Sequence, residues 1–116
     1  MSRPVRGGLA PWQERRAKEI LRANLVGGVP VKELARECRL SMSHFSRAFH
    51  RSVGVAPHNW LNEHRIVLSK EKLRDERLSL TDVAFECGFC DQSHLSREFK
   101  RTVGVSPGAW RRALKE

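Results

Sequence analysis

The chain carries the same segment twice. Residues 43–60 read SHFSRAFHRSVGVAPHNW and residues 93–110 read SHLSREFKRTVGVSPGAW, fifty residues further on. Ser, His, Ser, Arg, Phe, Arg, Val, Gly, Val, Pro and Trp recur at matching places. A repeat constrains architecture more than any local propensity, because each copy must be a unit of similar form. Two copies at this spacing are too few and too long for solenoid turns. They predict two small helical units, each doing the same job at a different place.

With 116 residues the chain is one domain, or two lobes sharing a helix, and either half alone would be marginal. Lys and Arg outnumber Asp and Glu 22 to 13, for a formal net charge of +9. So basic a chain points to a polyanion. The competing readings are a basic module that meets an acidic protein partner, or a DNA coat without sequence preference. No apolar run approaches the roughly 20 residues that span a bilayer, and no signal-peptide pattern opens the chain. Membrane partners are therefore not expected. Three cysteines, an odd number, without secretory features fit a reducing cytoplasm.

The periodicity predicts helices nearly throughout. Pro11 suits a helix start, and Trp12, Ile20, Leu21 and Leu25 give its apolar stripe, with Gly27 and Gly28 as the stop. A short helix after Pro30 carries Val31, Leu34, Ala35 and Cys38. A turn near Arg39–Leu40 leads to Ser41, a plausible N-cap, and a helix to about Ser52. Gly54 stops it, and Pro57 opens a long helix to about Asp75. The pattern then recurs: Ser79 and Asp82 as a capping pair, a helix with Leu80, Val83, Ala84 and Cys87, a turn at Gly88, a helix capped by Asp91, a stop at Gly104, and a last helix from Pro107. The fold class expected is all-α: seven helices forming two helix-turn-helix lobes joined by a long central helix. The organisation expected is a flexible arm over 1–9, a first lobe over 10–56, a linker helix over 57–76 and a second lobe over 77–116. Cys38 aligns with Cys87 but His44 with His94, so the second turn is one residue longer.

At 100° per residue, Phe45, Ala48 and Phe49 share the buried face of their helix. Ser43, Ser46, Arg47 and His50 then project from the other side, as Ser93, Ser96, Arg97 and Lys100 do in the second copy. Small polar residues around one Arg suit entry into a major groove, where Arg can bond guanine bidentately. Gln92, near the start of the second helix, can pair with adenine or a phosphate. Any exposed helix face is polar, but two faces with Arg in the same phase on so basic a chain favour DNA. Phosphate contacts are expected from helix starts and flanking bases: Ser41, Arg51, Lys100, Arg101, Arg111 and Arg112, with Lys115 beside them. The long helix spans roughly 28 Å at 1.5 Å per residue, against about 34 Å between major grooves on one DNA face. One monomer is thus expected to fill two adjacent grooves.

Cys87 and Cys90 form a C-x-x-C with His94 four residues on. Cys87 has its counterpart in Cys38 on an apolar face, which marks a small core residue, and no further ligand pair completes a zinc site. No metal and no cofactor is expected. A thiol-dependent sensor using Cys87 and Cys90 is the remaining alternative for that pair. His44 and His94 lie on the flank of each reading helix, where packing or capping is expected ahead of the alternative, a phosphate contact. No Ser-His-Asp arrangement, phosphate-cradling Gly loop or carboxylate pair is present, so no enzyme is expected.

LSLTDVAFECGFCDQSHLSREFKRTVGVSPGAWR at 78–111 and VKELARECRLSMSHFSRAFHRSVGVAPHNWL at 31–61 together resemble the DNA-binding domain of the AraC/XylS family of bacterial transcription regulators. The resemblance covers about residues 10–114. It implies a fold of seven helices with two homeodomain-like lobes. It also implies base reading by Ser43, Ser46 and Arg47 in the first lobe and by Gln92, Ser93, Ser96 and Arg97 in the second. Ser43 stands where some relatives carry a large side chain, which shifts first-lobe readout towards Arg47 and DNA shape. Most relatives carry a further effector or dimerisation domain, so the chain resembles either the free-standing monomeric members or a fragment of a longer regulator. RNA polymerase as a partner, and residence at the nucleoid of a bacterial cytoplasm, are likewise what the resemblance implies.

Overall fold

The computed structural model describes residues 5–116. Seven helices are present among them: α1 (Pro11–Ala23), α2 (Val31–Glu37), α3 (Met42–Val53), α4 (Pro57–Leu73), α5 (Leu80–Glu86), α6 (Gln92–Val103) and α7 (Pro107–Ala113). The chain divides into two compact units, residues 1–61 and residues 62–116, so α4 supplies its first turn to one unit and the rest to the other. The all-α expectation holds. None of these helices is long and apolar enough to cross a membrane.

The first unit gathers Leu9, Ala17, Leu21, Leu34, Ala35, Cys38, Phe45, Ala48, Phe49, Trp60 and Leu61 into one buried cluster. Leu9 is only 2% exposed, so the arm expected over 1–9 is anchored at its inner end; residues 1–4 lie outside the described residues. Trp12, expected in the core stripe of α1, is 44% exposed. The buried face of α1 runs instead through Ala17 and Leu21. The helix also ends at Ala23, short of the Gly pair, because the Asn24 side chain donates to the Ile20 carbonyl at 2.8 Å and caps the last turn. Gln13 ties the start of α1 to the end of α2: its Oε1 accepts the Ala10 N–H at 2.8 Å and its Nε2 donates to the Cys38 carbonyl at 2.9 Å.

The second unit repeats the scheme with Ile66, Leu73, Val83, Ala84, Cys87, Phe89, Leu95 and Phe99. Trp110 packs against this cluster, its ring edge-on to Phe99 at 6.0 Å. The aligned tryptophans are both roofed by cations: Arg22 over Trp60, and Lys70 and Arg74 over Trp110. The capping expected at Ser79 is complete, with the hydroxyl accepting from the Asp82 N–H and the Asp82 carboxylate accepting from the Ser79 N–H.

Both helix-turn-helix turns need a left-handed residue. In the second unit it is Gly88, at φ 89°; in the first it is Arg39, at φ 59°. Leu40 and Phe89 then donate their N–H to Ala35 and Ala84, each at 2.9 Å, closing equivalent turns.

Candidate nucleic-acid interface

Helices α3 and α6 follow these turns as the second helix of each pair. Local chemistry sets their ends. Ser41 caps α3 through its hydroxyl, which accepts the His44 N–H at 3.1 Å, and Asp91 caps α6 by accepting the His94 N–H at 2.7 Å. Gly54 and Gly104 end the two helices in the left-handed conformation. One face of each is wholly inside: Phe45, Ala48 and Phe49 in α3, Leu95 and Phe99 in α6.

The opposite faces carry the residues expected to read DNA. Ser43, Arg47 and His50 are exposed on α3, with Ser46 half-buried between them. Gln92, Ser93 and Arg97 are exposed on α6, again with a half-buried serine, Ser96. The structure therefore brings each expected set onto one face of one helix, in the same phase in both units. Neither Arg47 nor Arg97 is held by a carboxylate or a hydrogen bond among the described residues, so both guanidinium forks are open to a ligand. The Gln92 amide is positioned by a residue that sequence reasoning missed. The Thr81 hydroxyl, one helix earlier, donates to Gln92 Oε1 at 3.2 Å, which leaves the amide N–H pair free to donate outwards. Nothing local in the sequence links positions eleven residues apart on two helices.

The residues expected at phosphates divide. Arg51, Lys100 and Arg112 are exposed. Arg101 is exposed but paired with Glu98 at 2.8 Å, an i,i+3 surface pair of small worth that a phosphate can displace. The Ser41 hydroxyl is engaged as a cap. Arg111 differs from expectation: half-buried, its guanidinium donates to the carbonyls of Leu73 at 2.9 Å, Leu78 at 2.8 Å and Asp75 at 3.4 Å. It closes the C-terminal end of α4, with three of its N–H groups engaged by backbone carbonyls. Lys115 is paired with Glu76 at 3.1 Å.

His94 takes the capping role expected of it. Its Nδ1 accepts the Cys90 N–H at 3.2 Å, and its ring meets Phe89 edge-on at 5.1 Å. His44, without such an amide to accept, is exposed. Cys38 and Cys87 are buried and Cys90 is exposed. Burial raises the Cys38 thiol, and Glu37 adds to the rise; burial pushes the Cys87 thiol up to about 11.

A family model described as a helix-turn-helix domain matches residues 34–113. Among relatives, the virulence regulon transcriptional activator VirF of Yersinia enterocolitica is 29% identical over 79 residues, 68% of this chain and 29% of VirF. The transcriptional activator RhaS of Klebsiella pneumoniae is 36% identical over 60 residues, 52% of this chain and 22% of RhaS. The chain thus spans under a third of the length of these relatives. Among solved structures, the DNA-binding domain of the global transcriptional factor AdpA, in complex with a target DNA, superposes with a TM-score of 0.72 at 31% identity, over 84% of this chain and 90% of that one. A probable AraC family transcriptional regulator from Rhodopseudomonas palustris shares the fold, with a TM-score of 0.78 at 22% identity, over 87% and 95% of the two chains. The matched domain, the doubled helix-turn-helix and the two arginine-centred faces agree: this chain belongs to the AraC/XylS type of helix-turn-helix DNA-binding domain, which is not a family of enzymes.

Proposed function

We propose that the chain binds double-stranded DNA sequence-specifically as the DNA-reading part of a transcription regulator. The observation that carries this reading is the pair of exposed, unpaired arginines, Arg47 and Arg97, each at the centre of a small polar face on the second helix of its turn. The AdpA domain, similar to this chain and solved on a target DNA, supports it.

In this reading Ser43, Ser46, Arg47 and His50 face bases in one major groove, and Gln92, Ser93, Ser96 and Arg97 face bases in another. The small serines admit the helix backbone close to the base edges, and each arginine bonds guanine through its fork. Arg51, Lys100, Arg101 and Arg112 meet phosphates, as do the N–H groups at the helix start behind Ser41. With 17 residues, α4 is about 26 Å long at 1.5 Å per residue. One monomer is taken to fill two adjacent grooves, one with each unit. The activator names of VirF and RhaS support RNA polymerase as a second partner, and with it a place at the bacterial nucleoid.

Selection from a random pool of duplexes tests the reading, with gel shifts at stated salt. An enriched site containing two guanine-bearing blocks is expected. Arg47→Ala and Arg97→Ala should each lose about 1–3 kcal/mol on that site and relax preference at one position only. Equal loss on every sequence would reassign these arginines to phosphates. Salt-sensitive binding with no enriched site would leave only a nonspecific coat.

A further inference from the structure

The segment before α1 is built onto the reading helix of the first unit. The Gly8 N–H donates to the Val5 carbonyl at 2.7 Å, and the Leu9 N–H donates to Ser52 Oγ, on α3, at 2.7 Å. Leu9 is buried in the first core. The two glycines let this turn lie close to α3. A Cβ at Gly8 would stand 2.3 Å from Ser52 Oγ, and one at Gly7, where φ is +75°, would stand 3.2 Å from the Arg51 side chain. The turn presents Arg6 to an open cleft that it shares with His44, Arg47 and Arg51. Those three lie at i, i+3 and i+7 on α3, one stripe of that helix.

Three guanidinium groups and an imidazole therefore line one cleft. Among the described residues, none of the three arginines is in an ion pair. Like charges brought together by an anchored backbone repel one another, and an anion between them reverses that cost. Arg47 belongs both to this cleft and to the base-reading face, so an anion held here lies beside the bases being read.

We propose that residues 5–9 are a third DNA-contacting element, in which Arg6 completes, with His44 and Arg51, a seat for one phosphodiester of the DNA backbone beside the base-reading Arg47. This rests on the DNA-binding reading above. Because a phosphate carries no sequence information, the arm adds affinity and register without adding preference.

The test uses the full chain and two probes: the duplex that the unaltered protein selects from a random pool, and a scrambled duplex of equal length. Dissociation constants are measured from 50 to 200 mM NaCl. Arg6→Ala should weaken binding to both probes by a similar factor and lower the salt slope by about 0.9, the share of one phosphate. Over this fourfold range of salt, four to the power 0.9 means that the advantage of the unaltered protein shrinks about 3.5-fold. Arg6→Lys should restore most of the slope. Gly8→Val keeps every charge but has no room at Ser52, and should reproduce the loss. Should that variant not fold, the exposed Arg6→Ala decides alone. An Arg6→Ala protein with unaltered affinity and slope overturns the proposal, and so does a loss confined to the selected duplex. Arg97→Ala, measured alongside, separates the two ideas: it reports sequence discrimination, and a protein without any would fail the functional reading whatever Arg6 does.

Discussion

Arg111→Ala separates a structural arginine from a DNA-binding one. The guanidinium makes two short hydrogen bonds, to the carbonyls of Leu73 and Leu78, and a longer one to that of Asp75. Those carbonyls end α4 and begin the connector to α5, where a cation also meets the negative end of the helix dipole. Hydrogen bonds involving a charged group contribute about 1.5–3 kcal/mol each. Water can replace part of this once the half-buried side chain is gone, so a loss of roughly 2–3 kcal/mol is expected rather than the sum. For a chain of this size that lowers the midpoint of thermal unfolding by about 8–12 °C. Far-ultraviolet circular dichroism on heating measures it. Arg111→Lys keeps the charge but not the fork, and should recover less than half of the loss. DNA affinity at a temperature where all three proteins are folded should be nearly unchanged, with the same salt slope. The assignment fails if Arg111→Ala unfolds at the unaltered midpoint while its salt slope falls.

Three further outcomes follow from the same packing. In the folded protein a thiol reagent at neutral pH should modify Cys90 alone, because Cys38 and Cys87 are buried and the latter is pushed up to about 11; urea should release all three, and modification of three in the native state would refute the packing. Arg39→Gly should leave stability unchanged or raise it by up to about 1 kcal/mol, since φ there is 59° and glycine occupies the equivalent turn, as a urea midpoint will show. The Ser79 N–H and hydroxyl hold the Asp82 carboxyl below the usual carboxylate range. Its stabilising contribution is therefore complete above about pH 3.9, the ordinary aspartate value, and is lost as pH falls through the lowered folded value. Asp82→Asn should flatten the acid limb of the stability profile.

What could be read from sequence was what local chemistry decides. Ser41, Ser79 and Asp91 announce helix starts because a side-chain oxygen reaches an N–H three residues on, and Gly54 and Gly104 announce ends because they accept the left-handed conformation. The outward phase of Arg47 and Arg97 follows from helical geometry once Phe45, Phe49, Leu95 and Phe99 are placed inside. What stayed hidden depends on other elements. Trp12 had the right spacing for the core of α1, but the packing of Ala17 and Leu21 rotated that face elsewhere. Asn24 ended α1 early by a bond that no propensity encodes. Arg111 looked like a free surface cation until α4 supplied its carbonyls, and Thr81 acquired meaning only through Gln92.

The paired histidines show what one added residue does to a duplicated unit. The longer second turn introduces Cys90, whose exposed N–H donates to the imidazole of His94. The first unit lacks the insertion, and the same side chain there lines the cationic cleft instead. Identical letters in two copies thus hold unequal employment, and a deletion at position 90 would remove the hydrogen bond that His94 accepts. One added backbone residue is enough to give aligned side chains different tasks.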